Sequence, residues 1–169
     1  MPLTPFHLGP ALLLGLIFLR FLDFPTFLVA NVIVDVEPIL VILLNPVDYP
    51  LHGFLHTFLG GTILAFPLAW VMNKIRGFLS PLLVFFKIEQ ESSFKKALLA
   101  SLSGIYIHIL LDSRMHLDIR PFYPFGFNPF LNRSMLVGLE LHMLCVWAFI
   151  AGVVIYGIKI LLLFLKGRK

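Results

Sequence analysis

Residues 27–44 read FLVANVIVDVEPILVILL. The run approaches the length of a membrane crossing, since about 20 apolar residues span a bilayer core of about 30 Å. Asp35, Glu37 and Pro38 interrupt it midway. Proline has no backbone N–H to donate and pushes the residue before it out of helical geometry. The stretch is therefore expected to be a broken or re-entrant transmembrane segment.

Four further apolar runs flank it, at residues 8–24, 54–72, 97–112 and 136–165. The first is short and carries Arg20, and the last exceeds what a bilayer needs and should be tilted or project beyond it. A shorter run at 78–86 contains Pro81 between Arg76 and Lys87, which reads as an interfacial helix. The expected fold is all-α: a polytopic integral membrane protein of about five transmembrane helices, one of them broken, forming a single domain over residues 1–169.

The whole composition supports this. The 169 residues are 59% hydrophobic and only 13% charged, with a mean hydropathy of +0.96. Ordinary soluble domains are about a quarter charged. Disorder, a disulfide scaffold and a nucleic-acid module are excluded together. Cys145 is the only cysteine, so no intramolecular disulfide forms and a thiolate metal site is not expected. No basic segment or small-residue cleavage site accompanies the first apolar run, which is expected to be a retained span.

Lysine and arginine orient the expectation. Under five alternating spans, Arg20, Lys74, Arg76, Lys87, Lys95, Lys96, Lys159, Lys166, Arg168 and Lys169 fall on one side, and Arg114, Arg120 and Arg133 on the other. The richer side should be cytoplasmic, with the amino terminus outside and the carboxyl terminus inside. All six histidines then sit at the outer face: His7, His52, His56, His108, His116 and His142.

His52 and His56 are four apart, as are His108 and Asp112. On a helix such residues share a face, about 5–6 Å apart at Cβ, which suits two ligands of one metal ion. Against chance spacing at polar helix ends stands the convergence of both pairs with His7 and Asp35. Asp35 reads as a metal ligand or as the partner of a cation such as Arg20 or Arg114. Glu37 reads equally as a metal ligand or as the partner of such a cation, with a supporting or bridging role beside Asp35 and that of a general base also open. Glu140 is a second candidate base or an interfacial carboxylate in water. His142 reads as a packing histidine, and His116 as a ligand, a substrate contact or a plain loop residue. Arg114, Arg120 and Arg133 would hold an anionic substrate group or snorkel to lipid headgroups. The aromatic, proline-rich segment 121–130 is expected to be an ordered loop at headgroup level, and Gly60-Gly61 to allow close helix packing.

The ordered elements Thr4-Pro5-Phe6-His7, Asp35-Val36-Glu37-Pro38, His52-Gly53-Phe54-Leu55-His56-Thr57 and His108-Ile109-Leu110-Leu111-Asp112 resemble the YdjM-like family of membrane-bound, metal-dependent hydrolases. Pro121-Phe122, or Pro124-Phe125, stands where that family's final Pro-Phe falls, and the resemblance covers about residues 1–125. Here Pro5 and Phe6 split the family's Thr-His. Asp-x-Asp-His has become Asp35-x-Glu37-Pro38, and the arginine after the first paired histidine is missing.

The expected function is hydrolysis of an ester or phosphoester, including a lipid, at the extracytoplasmic face. His7, Asp35, His52, His56, His108 and Asp112 would hold one or two divalent cations, zinc before manganese or iron. Glu37 or Glu140 would accept the proton of the attacking water. The alternative is a metal carrier, sensor or structural metalloprotein without hydrolysis. Few polar residues line the inner half (Asn73, Ser101 and Ser103), which argues against transport. Membrane lipids are the expected surroundings and nucleic acid is not an expected partner.

Overall fold

A computed structural model describes residues 4–166, and Arg168 and Lys169 of the basic set lie outside the described residues. The described chain is helical: α1 (Leu8–Ile17), α2 (Phe24–Ala30), α3 (Val36–Leu44), α4 (Phe58–Phe85), α5 (Phe94–Ser113) and α6 (Val137–Lys166). Short 3-10 turns at Thr4–His7, Ile33–Asp35 and Phe54–His56 stand at three of the breaks. Four segments are long and apolar enough to cross a membrane: Phe24–Leu44 taken through its break, Phe58–Phe85, Phe94–Ser113 and Val137–Lys166.

Two expectations need correction. The run at 8–24 does not make one span-length helix, because the helix stops at Ile17 and the chain turns before Asp23, which caps α2 by accepting from the Thr26 N–H. Nor is 78–86 a separate interfacial helix: α4 passes through Pro67 and Pro81 to Phe85. A proline removes one helical hydrogen bond, but neighbouring packing tolerates this in apolar helices. The far turns of α4 are held by Leu83, which packs with Leu16, Phe24 and Ile88.

The elements run up and down. Residues 18–23 and the α4–α5 connection meet at one end, where Arg76 pairs with the buried Asp23 at 3.2 Å. There Gln90 accepts from the Phe24 N–H and donates to the carbonyls of Leu19 and Leu22. Tyr156 in α6 donates to the Phe86 carbonyl at this same end. Arg20 and Lys87 belong to these meeting segments, Lys95 and Lys96 stand in the first turn of α5, and Lys74 and Arg76 lie on α4, from which Arg76 reaches Asp23. At the other end lie the start of α1, the α2–α3 break, the start of α4 and the finish of α5. Ala30, Val34, Ala65, Leu68, Ile105 and Ile109 fill the core between α2, α4 and α5. Gly61 is needed there, because a Cβ at that position would stand 2.6 Å from Ile105 Cγ2.

Candidate metal centre

The break at 31–35 is where the site begins. Leaving α2, the chain frees the Asn31 carbonyl, which accepts from His108 Nδ1 at 2.8 Å. With Nδ1 donating, His108 presents the lone pair of Nε2. That atom lies 3.3 Å from Asp112 Oδ2, one turn along α5, and 3.4 Å from Asp35 Oδ1 across the break.

His56, in the 3-10 turn before α4, is built the same way. Its Nδ1 donates to Glu37 Oε2 at 2.9 Å, and Nε2 stands 3.9 Å from Asp35 Oδ1. One ligand atom from each of Asp35, His56, His108 and Asp112 lies within 4.8 Å of the others, and all four residues are buried.

These distances suit a common cation. Two ligands each about 2.1 Å from zinc at a tetrahedral angle stand about 3.4 Å apart. Nε2 of His56 and of His108 is buried without a hydrogen-bond partner, a state that costs about 1–3 kcal/mol per group unless something else binds there. A ring whose Nδ1 is tied to a carboxylate or carbonyl while Nε2 converges on other ligands is the usual construction of a metal-binding histidine.

Glu37 is fully occupied by donors. Its two oxygens accept from Tyr49 Oη at 2.8 Å, from the backbone N–H groups of Gly53, Leu55 and His56, and from the His56 ring. It therefore stands behind His56, holding the ring and the turn. Asp35 faces His56 and His108, not Arg20 or Arg114.

His52 and His56 do not share a helical face, contrary to the expectation from their spacing. His52 lies in a bend and His56 in the 3-10 turn, with their rings edge to face at 4.8 Å. His52 belongs to a second group with Asp112 and His116, whose ligand atoms again lie within 4.8 Å of one another. Its Nδ1 is held by Asp118 at 3.0 Å, and Asp118 also accepts from the His52 backbone N–H. Burial, the largest cause, and neighbouring His56 lower the His52 pKa despite Asp118. Burial and the nearby His52 ring push His116 down to about 4. Both rings are thus neutral at physiological pH, the form that binds metal.

The remaining candidates are spread around this centre. His7 is buried, stacked on His108 at 4.2 Å, with Nε2 facing Asp112 Oδ1 at 3.1 Å. His142 donates Nδ1 to the Gly138 carbonyl and packs edge-on against Phe6, so it is a packing histidine. Glu140 is exposed in the first turn of α6 and is absent from both ligand groups. Arg114 is exposed beyond α5, its carbonyl accepting from the Asn132 N–H.

Arg120 lines a cleft of about 590 Å³, together with His52, Asp118, Tyr49, Phe54 and Tyr123. Of the segment 121–130, Tyr123 lines this cleft, and its neighbours anchor the segment to α4. Pro121 accepts from the Phe58 N–H at the start of α4, and Phe122 packs against Phe58 at 5.3 Å.

Sequence reasoning missed Asn31 and the role of Asp118. A polar Asn one turn before Asp35 in an otherwise apolar run was the available signal for the first. Nothing in the spacing of His52 and Asp118, 66 residues apart, announces the second.

Fold and site together define an all-helical chain with span-length apolar helices and a buried His/Asp group able to hold a metal ion. Comparison with protein-family models, curated proteins and solved structures gives no match.

Proposed function

We propose that the protein is a polytopic membrane hydrolase that uses a divalent cation, zinc in the first instance, to cleave an ester or phosphoester at the extracytoplasmic face. The observation that carries the metal centre is the convergence of His56 Nε2 and His108 Nε2 on Asp35 and Asp112, each ring braced from behind. Exposed apolar side chains such as Leu43 (73%) on α3 and Trp147 (62%) on α6 suit contact with lipid. The ordered resemblance to the YdjM-like family supports the same reading, and the cleft beside His52 gives a substrate a place to bind.

A cation in this setting would supply Lewis acidity and a bound water of lowered pKa. The chain's own part is to hold the ligands: Glu37 fixes His56, Asn31 fixes His108, and apolar packing from Val34 and Ile109 limits water. Arg120 at the cleft would receive an anionic substrate group. Of the two candidate bases, Glu37 is committed to support and Glu140 is remote from the ligand groups, so neither has the place of a proton acceptor. A second reading, a structural metal clip without hydrolysis, is favoured by the burial of all four ligands, since structural sites are closed.

Elemental analysis of detergent-purified protein is the test, with wild type beside His56→Ala/Asp112→Ala. At least one equivalent of metal in the wild type, lost in the variant, is expected. Metal-dependent turnover of a phosphodiester by the wild type would then separate the hydrolase from the clip. Absence of bound metal, with none taken up on addition, overturns both readings.

A further inference from the structure

We propose that the protein holds a second divalent cation between His52, His116 and Asp112, with Asp112 shared between the two cations. This inference rests on the inner metal centre proposed above and extends it toward the cleft. Three observations carry it.

First, each histidine of this second group has one ring nitrogen, Nε2, that is buried and unsatisfied. His52 is 2% exposed, and its Nε2 has no hydrogen-bond partner; the same holds for His116 Nε2. The two rings lie 4.2 Å apart at centroid, tilted by 34°. The ring contact leaves the buried Nε2 of each histidine without a hydrogen-bond partner. A cation between them and a carboxylate gives both nitrogens a partner.

Second, His52 repeats the construction seen in His56 and His108. Asp118 holds its Nδ1, leaving Nε2 to point away from that support. The three rings share one design although they come from a bend, a 3-10 turn and a helix. The packing histidine His142 is also held at Nδ1, but it is the three rings here whose Nε2 is buried without a hydrogen-bond partner.

Third, Asp112 has two carboxylate oxygens and belongs to both groups. Its Oδ2 lies 3.3 Å from His108 Nε2 of the inner group, and its second oxygen, Oδ1, lies 3.1 Å from His7 Nε2. A carboxylate shared in this manner is the usual link in two-metal hydrolytic sites. The inner position has four buried residues; the outer has three and borders the cleft through His52. Three protein ligands leave coordination positions for water and substrate, as catalytic sites do. The outer cation and Arg120 would together receive the anionic oxygens of a phosphoester.

The test is metal stoichiometry and electron paramagnetic resonance of the full chain in detergent, stripped of metal and then loaded with zinc or manganese. About two equivalents are expected in the wild type and about one in His116→Ala and in His52→Ala. The manganese form should show an exchange-coupled pair in the wild type and an isolated ion in His116→Ala. One equivalent in the wild type, unchanged in His116→Ala and with an isolated-ion spectrum, overturns the second cation and leaves the inner centre standing. No uptake at all overturns the inner centre and this proposal with it. The wild-type spectrum decides the matter even where a variant fails to fold.

Discussion

Glu37 carries the local logic of the centre. Its side chain collects five donors from Tyr49 and the 53–56 turn, and so converts a loop that would otherwise wander into a fixed platform for His56. Glu37→Gln keeps the size and some acceptor capacity but removes the charge behind the ring. Loss of such support typically weakens metal binding about 10–100-fold. Competition against a chelator should show that drop, with the number of ions bound per chain unchanged. Unaltered affinity alongside lost turnover would instead make Glu37 a base. The i,i+4 pair His108–Asp112 was legible from spacing because one helix carries both residues. The pair His52–His56 was misread because the same spacing falls on irregular backbone, where it implies no common face.

Among the elements, the interruption between α2 and α3 matters most. A continuous helix over residues 24–44 would have tied the Asn31 carbonyl into its own ladder, leaving His108 without its brace. That the run would be interrupted was legible because proline and paired carboxylates are costly in an apolar helix, but the break itself falls at 31–35, and Glu37 and Pro38 stand in the first turn of α3, where a missing N–H costs nothing. The contact between α1 and α6 was not legible. A Cβ on Gly9 would stand 2.1 Å from the Cys145 carbonyl oxygen, so α1 lies directly on the α6 backbone. Gly9→Val should cost about 1–3 kcal/mol through overpacking. It should appear as a lower thermal midpoint in detergent, whereas Gly77→Ala, at a position with nothing within 4 Å, should leave the midpoint unchanged or slightly raised. Equal midpoints for Gly9→Val and wild type would mean that α1 does not pack there.

At the scale of the molecule, the basic segments gather at one end and the histidine centre at the other. We expect the histidine end to face outward, following the bias of Lys and Arg. In a Cys145→Ser background, Arg120→Cys should react with a membrane-impermeant maleimide on intact cells, and Lys87→Cys only after permeabilisation. The reverse pattern would invert the proposed orientation. The helix count was legible in part. Four segments have the length and apolarity to cross a bilayer. α1 is 10 residues, about 15 Å of helix, roughly half a bilayer core. Its short reach is completed by residues 18–23, which join the Gln90 and Arg76 contacts at the basic end.

The sequence by itself determined the helical class, the apolar runs and the interrupted segment, and it marked out the histidines and carboxylates from which the two groups are drawn. Composition and periodicity act locally, and burying a carboxylate or histidine in an apolar run carries a cost that any reader of the chain can see. Only the tertiary structure decided how those residues divide: Asp112 between two groups, His52 with His116 and not with His56, Glu37 behind a ring and not before a substrate. Those assignments depend on which backbone carbonyls and N–H groups a break or turn sets free. They also depend on which distant segment, such as Asp118 beside His52, arrives to meet them. Such encounters are made by packing between elements, and spacing along the chain does not encode them.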